Sequence, residues 1–126
     1  MTDRTRIPPL SPFEEEVGFT RALRVGDRII VSGTTANGNP PPEDAGEQAD
    51  LIYRQIRGYI EQLGGTMEDV VRVRMFVTDI ADADAVSAAF TRHLKKTCPT
   101  GTLVAISALY HPHIKVEIEA EAVVSA

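Results

Sequence analysis

The segment from Lys115 to Val123 has the clearest pattern in the chain, because apolar residues and glutamates alternate along it. Successive side chains of an extended chain point to opposite faces, so the pattern predicts a β-strand with one buried face. Like charges two residues apart repel, so the acidic face must be solvated, matched by cations or part of a pocket. This face carries Glu117, Glu119 and Glu121.

Two segments have helical spacing instead. From Gly46 to Leu63 apolar residues recur every three or four positions, and Gly64-Gly65 follows as a stop signal. A second helix is predicted over 83–96, before Pro99, because its apolar positions recur in the same way. The residues predicted to be buried are Ala49, Ile52, Tyr53, Ile56, Ile60 and Leu63 in the first helix, and Val86, Ala89, Phe90, His93 and Leu94 in the second.

The remaining elements are strands and loops. A hairpin is predicted over 19–32 around the turn residues Gly26-Asp27, and a central strand over 70–77 follows a short turn at 66–69. Two later strands are predicted near 103–108 and 115–124, whereas the proline-rich stretch 34–45 is a surface loop. Residues 1–16 contain three prolines without periodicity and are interpreted as a loosely held N-terminal arm.

This order of elements predicts an α+β fold, with residues 17–126 forming a single domain. Two helices can cover only one face of a single mixed sheet, so both are expected on the same face. The other face, which carries the glutamates, must then be solvated or covered by partner chains. Oligomerisation of identical chains is the favoured hypothesis.

Composition limits the partners and the setting. A chain of 126 residues with 43% hydrophobic content fits one core, and a formal net charge of -5 argues against nucleic acid as a partner. Cys98 is the only cysteine, so no internal disulfide can form. No apolar run approaches the roughly 20 residues that a membrane helix needs, and the polar N-terminus is not typical of a signal peptide. We expect a cytoplasmic protein that binds small molecules and no membrane.

Five short motifs follow one another along the domain: they are Val25-Gly26-Asp27, Val31-Ser32-Gly33, Met67-Glu68-Asp69-Val70-Val71, Phe76-Val77-Thr78-Asp79 and Val116-Glu117-Ile118-Glu119-Ala120. In this order and spacing, the motifs resemble the RidA (YjgF) family over nearly the whole domain. The resemblance implies a fold like that of the chorismate mutase of bacilli, a homotrimer with ligand clefts between subunits, and hydrolysis of enamines and imines that releases ammonia.

The chain departs from the family pattern at the expected site. The family's Pro-x-Arg-Ser segment, whose arginine grips the substrate carboxylate, corresponds here to a segment with Gly101 and Thr102 in the last two places. A glycine cannot supply a bidentate guanidinium. By the same resemblance, Phe19 replaces a pocket tyrosine and Ser87 an asparagine, and Gly33 lies in a substrate-holding region that is equally well explained as a strand end.

Two charged residues have alternative interpretations. Glu117 matches the family's acidic pocket residue, which positions the attacking water, but it could instead be a solvated carboxylate on the sheet face. Arg74 lies in the middle of the predicted central strand, where a lone charge needs a partner. It either pairs with the row of glutamates or projects into the cleft as a substitute carboxylate anchor.

We expect no metal and no cofactor. His111 and His113 flank a proline without a nearby acidic or cysteine ligand, although His113 could lie at the rim of a pocket, and His93 belongs to the second helix. No glycine motif for phosphate binding and no cysteine pair with zinc spacing occurs.

Three functions are consistent with these features. The first is an enamine or imine deaminase of unknown substrate with Glu117 as its catalytic residue, and the second is a trimeric ligand-binding protein that has lost the chemistry. The third is an endoribonuclease or translation inhibitor, which the acidic charge balance disfavours.

Overall fold

In the computed structural model, which describes residues 3–125, the chain forms strands and helices that assemble into one mixed sheet with helices against it. Short 3-10 turns at Met67–Asp69 and Ile80–Asp82 precede β4 and α3. The elements in chain order are β1 (Arg4–Arg6), α1 (Pro12–Val17), β2 (Ala22–Val25), β3 (Arg28–Thr34), α2 (Ala45–Gln62), β4 (Val70–Val77), α3 (Ala83–Leu94), β5 (Thr100–Ala105) and β6 (Val116–Val123).

Within the described residues the sheet has six strands, in the order β1-β2-β3-β6-β4-β5. All neighbouring strands are antiparallel except β4 and β5, which are parallel. Strand β6 therefore lies between β3 and β4, at the centre of the sheet. Its apolar residues lie on one face of the sheet and its glutamates on the other. The predicted α+β fold, with a single mixed sheet and two main helices, is confirmed.

The core lies between one face of the sheet and the two long helices. Strand β6 contributes Val116, Ile118, Ala120 and Ala122, which are all at most 4% exposed. On its other face the three glutamates are half-buried and Val123 is exposed. Every position predicted to be buried in the first helix is buried, although Leu63 is the C-cap, one residue after the end of α2. In α3, Val86, Ala89 and Leu94 are buried, whereas Phe90 and His93 are only partly so. The other face of the sheet stays open in the single chain.

A bulge interrupts the pairing of β3 with β6. Val31 pairs with Ala120 and Thr34 with Ile118, so Ser32 and Gly33 together oppose a single residue of β6. Bulges bend the strand and change the direction of nearby side chains, and they are frequent beside functional sites. This bulge lies next to Glu117.

The structure corrects the interpretation of the N-terminal segment 1–16. Instead of lacking regular structure, its described part forms β1, which pairs with β2, and most of α1. Ile7 and Glu14 are 5% and 2% exposed, so the segment is packed onto the domain. A proline in the first turn of α1 explains the helix, because proline is tolerated there and Ser11 precedes it as the N-cap. Met1, Thr2 and Ala126, which fall within the predicted arm and domain, lie outside the described residues.

Smaller differences concern the edges of two elements. Strand β5 begins at Thr100, three residues before the predicted start, because it pairs in parallel with β4 from Arg72 onward, and it ends at Ala105 rather than at residue 108. Helix α3 ends at Leu94, whereas the spacing predicts a helix to residue 96.

Candidate functional site

The three glutamates of β6 have different surroundings. Nη1 of Arg74 donates to Oε1 of Glu119 at 2.9 Å, and Nη2 of Arg28 donates to Oε2 of Glu121 at 2.9 Å. Glu117 lies opposite Phe76 of β4 and, among residues 3–125, forms neither an ion pair nor a hydrogen bond. Two of the carboxylates are thus matched by arginines, and Glu117 is the one left available for a ligand.

Gly33 makes room for the Glu117 side chain. A β-carbon built on Gly33 would lie 2.9 Å from the carboxyl carbon of Glu117, closer than real contacts allow, and 3.0 Å from its Oε1. The bulge therefore brings backbone without a side chain against the carboxylate. The structure places Glu117 and Gly33, both predicted site residues, in direct contact.

Glu117 opens onto a cavity of about 700 Å³. Its wall also contains Arg21 and Thr35, the exposed aromatic rings of Phe13 and Tyr110, and the loop from 108 to 114. A cavity of this size suits a small molecule. The cavity wall combines the carboxyl group of Glu117, the cationic side chain of Arg21 and aromatic surface.

The electrostatic setting of Glu117 favours its neutral form. Burial raises the pKa of the Glu117 carboxyl, and the negative charge of Glu119 raises it further, while the positive charge of Arg21 acts in the opposite direction. A carboxyl with a raised pKa exchanges protons more readily near neutral pH than an ordinary glutamate, which suits general acid–base chemistry.

Arg21 is held in the cavity wall by a buried partner. Its Nε donates to Oε1 of Glu14 at 2.6 Å, and the other oxygen of Glu14 accepts from the backbone N–H of Leu10 at 2.6 Å. Burial raises the pKa of Glu14, but the hydrogen bonds from Arg21, Leu10 and Ser11 outweigh it and hold the pKa below its usual value. Glu14 is therefore ionised at neutral pH and fixes the Arg21 guanidinium.

Phe19 lies beside this cavity. The guanidinium carbon of Arg21 is 5.2 Å from the centre of the Phe19 ring, a cation–π contact, and Phe13 packs edge-on against the same ring at 5.8 Å. Phe13 also packs against Tyr110 at 5.7 Å. Phe19 thus supports Arg21 and the aromatic wall.

The other predicted site residues lie elsewhere in the single chain. Arg74 pairs with Glu119, as one of its two interpretations expects, and borders a separate cavity of about 80 Å³. Thr102 is the register partner of Arg74 on β5, and Gly101, beside it, faces the ring of Phe90 at 3.7 Å. Ser87 is exposed on α3. None of these four residues lines the Glu117 cavity.

The sequence interpretation missed Arg21, Phe13 and Tyr110. Arg21 reads as an ordinary strand residue, since its contact with Glu14 depends on how α1 folds back. The signal that could have found it is the pattern Ser11-Pro12-Phe13-Glu14, a helix start with glutamate at its third position. Phe13 and Tyr110 carry no local signal, because they meet only through tertiary structure.

The histidines are distributed over different surroundings. His111 lines the Glu117 cavity, while His113 lies near the loop of prolines 40–42, and its carbonyl accepts from Gln48 at 2.8 Å. Nε2 of His93 lies 3.0 Å from Oδ1 of Asp50. In the part of the chain that the structure describes, no group of three or more His, Cys, Asp or Glu side chains is arranged to hold a metal ion. None of the helices formed by residues 3–125 has the length and apolar character to cross a bilayer.

Comparisons with known proteins agree with this fold. The sequence model of the family described as Endoribonuclease L-PSP matches residues 11–124. The solved structure of a Mycobacterium tuberculosis member of the YjgF/YER057c/UK114 family is 38% identical, covers 97% of this chain and 100% of that one, and superposes with a TM-score of 0.90.

Two further relatives extend this result. The structure of RidA from an Antarctic Psychrobacter is 26% identical with a TM-score of 0.78, covering 84% of this chain and 88% of that one. The 2-iminobutanoate/2-iminopropanoate deaminase of Escherichia coli is 31% identical over 113 residues, which are 83% of this chain and 86% of that protein. The chain therefore belongs to the Endoribonuclease L-PSP family, the family of the YjgF and RidA proteins.

Proposed function

We propose that this protein is an imine or enamine deaminase that hydrolyses a small substrate at Glu117 and releases ammonia. The observation that carries the proposal is the half-buried carboxylate of Glu117, which has no ion-pair partner among residues 3–125 and lies in the wall of a cavity of about 700 Å³. The family supplies a second argument, since one relative is named for deamination of 2-iminobutanoate and 2-iminopropanoate.

The reaction requires one group that moves protons. As the oxygen of a water molecule bonds to the carbon of a protonated imine, the Glu117 carboxylate accepts a proton from that water, and the electron pair of the C=N bond moves to nitrogen. Glu117 then gives this proton to the amino nitrogen of the intermediate. The C–N bond breaks and its electron pair leaves with ammonia, while the hydroxyl of the intermediate gives its proton to Glu117 and becomes a carbonyl. Ammonia takes up this proton and leaves as ammonium, which restores the Glu117 carboxylate. The raised pKa of Glu117 suits both directions of this transfer.

We propose further that the active form is a homotrimer with its clefts between subunits. The sheet face opposite the helices carries Ile30, Val104 and Val123, which are 40%, 41% and 39% exposed, beside the partly exposed Arg74–Glu119 pair. A mixed apolar and charged surface of this kind suits contact with a second copy. In the trimer that the family resemblance implies, we expect Gly101, Thr102 and Ser87 of one chain to approach the Glu117 cavity of another.

An ammonia assay tests the catalytic proposal. Imines would be generated in place by an amino acid oxidase, and their breakdown followed with wild-type protein, Glu117→Gln and Glu121→Gln. Glu121 is the matched control, because it lies on the same strand and face but pairs with Arg28. We expect wild-type protein and Glu121→Gln to release ammonia faster than the imine does without protein. In Glu117→Gln the rate of release should fall by about 100-fold or more, as for removal of a general base.

The alternative function is a ligand-binding protein without chemistry. In that case small carboxylates would raise the melting temperature of the protein, while no variant and no wild-type sample would accelerate ammonia release. Equal rates with wild-type protein and Glu117→Gln would reject the deaminase proposal.

A further inference from the structure

Arg21 is the cation of the Glu117 cavity, and its backbone is fixed by the same bulge that accommodates Glu117. The backbone N–H of Ser32 donates to the carbonyl of Arg21 at 3.0 Å, and the Ser32 hydroxyl donates to the carbonyl of Thr20 at 2.6 Å. The following residue, Ala22, is in register with Val31. These contacts attach the start of β2 to the bulge, so the backbone positions of Arg21 and Glu117 are fixed relative to each other.

The side chain of Arg21 is fixed at one nitrogen and open at the other two. Nε is bound to the buried Glu14, and the guanidinium plane rests near the ring of Phe19. Nη1 and Nη2 form no hydrogen bond with any of residues 3–125, and the side chain is 24% exposed. The terminal pair of nitrogens is the edge of a guanidinium that binds a carboxylate with two parallel hydrogen bonds.

A simpler interpretation is that Arg21 only neutralises Glu14. That role uses one of the five N–H groups of the guanidinium. The four N–H groups of Nη1 and Nη2 then have no hydrogen-bond partner among residues 3–125. Arg21 lines the cavity that also contains Glu117, yet the two side chains form no ion pair. The unused hydrogen-bonding edge and the space between the two groups are what a ligand would fill.

The charges define the kind of ligand. A 2-imino acid carries a carboxylate next to its protonated imine, so its two charges match the cation Arg21 and the acid Glu117. Phe13, Tyr110 and the loop residue Leu109 provide apolar surface for the remainder of the molecule. This wall favours an apolar side chain over a charged one.

We infer that Arg21 is the carboxylate anchor of this protein, taking the role for which Gly101 has no side chain, and that the cavity prefers carboxylate ligands with apolar side chains to those with charged ones. Hydrolysis of imino acids at this site rests on the proposed function, whereas binding of a carboxylate at Arg21 does not.

Binding measurements test the anchor directly. The probe is 2-oxo-4-methylpentanoate, compared by calorimetry with its amide, which has the same shape without the charge. Arg21→Lys keeps the charge beside Glu14 but loses the planar fork, so we expect it to weaken carboxylate binding about tenfold or more and to leave the binding of the amide unchanged.

Arg24→Lys is the matched control. Arg24 lies on the same strand, but its side chain donates to the carbonyls of Gly26 and Leu63 rather than lining the cavity. We expect it to bind the carboxylate as the wild type does. Equal carboxylate affinity in Arg21→Lys and wild type, or no carboxylate binding by the wild type, would overturn the inference.

A measurement on the wild type covers the case in which Arg21→Lys does not fold. The guanidinium ¹⁵N resonances of Arg21 should shift when the carboxylate is added and stay unchanged with the amide. Shifts elsewhere in the protein without any change at Arg21 would overturn the anchor.

Kinetics separate the two proposals. If Arg21→Lys raises KM for an imino acid about tenfold with a smaller effect on kcat, both proposals are supported. Ammonia release with an unchanged KM in Arg21→Lys would reject the anchor and keep the deaminase. Arg21-dependent carboxylate binding without ammonia release would keep the anchor and reject the deaminase.

Discussion

Gly33 and Glu117 are in such close contact that a single added methyl group on Gly33 would overlap the Glu117 carboxyl, at 2.9 Å from its carbon. The contact joins the bulge of β3 to the central strand β6. Glu117 can therefore occupy its place in the cavity wall only because residue 33 has no side chain.

Gly33→Ala should therefore affect activity more than stability. The atoms that a β-carbon would meet belong to the end of a flexible side chain, so Glu117 can move aside while the fold persists. A displacement of about 1 Å at a reacting group can lower the rate by about 100-fold, and we expect a loss of at least about tenfold in kcat/KM. Ammonia release and thermal unfolding, measured on the same samples, check this.

Gly58→Ala is the control for this substitution. Gly58 lies within α2, and a β-carbon there would meet nothing within 4 Å. Alanine in a helix interior stabilises by about 0.5–1 kcal/mol relative to glycine, so this variant should unfold at a higher temperature with normal activity. A Gly33→Ala variant as active as Gly58→Ala would contradict the proposed role of Glu117.

Glu117→Gln should stabilise the protein at neutral pH. The pKa of Glu117 is raised in the folded state, chiefly by burial, so ionising this group opposes folding once the pH exceeds its unfolded value. The free energy of unfolding of Glu117→Gln should therefore exceed that of the wild type at neutral pH. This difference should disappear well below pH 4.5, the ordinary pKa of a glutamate. Denaturant unfolding of both proteins across this range measures it, and a stability difference that is the same at all pH values would contradict the raised pKa.

Glu14→Gln should have the opposite dependence. The hydrogen bonds from Arg21, Leu10 and Ser11 overcome the effect of burial and lower the pKa of Glu14, so its ionised form stabilises the fold above the unfolded value near 4.5. Hydrogen bonds to a charged group contribute about 1.5–3 kcal/mol, and we expect a loss of about 2 kcal/mol in the free energy of unfolding at neutral pH. The difference from wild type should shrink as the pH falls through the lowered pKa, which denaturant titrations would record.

Arg74→Met should change ligand binding little. Arg74 and Glu119 are 38% and 34% exposed, and an exposed ion pair contributes about 0–1 kcal/mol. Calorimetry with 2-oxo-4-methylpentanoate is expected to give an affinity close to that of the wild type. Loss of binding in a folded Arg74→Met protein would restore Arg74 as the carboxylate anchor in place of Arg21.

Tyr53→Phe should stabilise the protein. Tyr53, on α2, is fully buried against the rings of Phe90 and His93 of α3, and its hydroxyl has no hydrogen-bond partner among the described residues. Removing an unsatisfied buried hydroxyl recovers part of a penalty of about 1–3 kcal/mol, and we expect a gain of about 1 kcal/mol. A decrease in melting temperature would show that the hydroxyl has a partner in solution, such as an ordered water.

Local patterns in the sequence predict most of the fold. The alternation in β6, the β-branched run of β4 and the helical spacing of α2 each follow from the burial of one face, so their positions can be read without tertiary information. The segment of β1 and α1 was harder, because it is short, rich in proline and stabilised by pairing with β2 and by the contact between Glu14 and Arg21.

The site is less accessible to sequence reasoning than the fold. Glu117 can be singled out by its place in the acidic row, but its freedom from an ion pair depends on which arginines reach Glu119 and Glu121. Arg21 lies nearly a hundred positions before Glu117 in the sequence, and the bulge at Ser32-Gly33 contacts both, through the backbone of Arg21 and the side chain of Glu117. Contacts of this kind carry no local periodicity.

The central position of β6 has a consequence for how the protein is made. This strand joins β3 to β4, yet it is the last of the six to leave the ribosome. Until then the hairpin and the parallel β4–β5 pair have no common partner, and the apolar sides of α2 and α3 lack much of the surface that shields them. The nascent domain would thus acquire its native organisation late and in a single concerted step, with a chaperone able to act on it up to that moment.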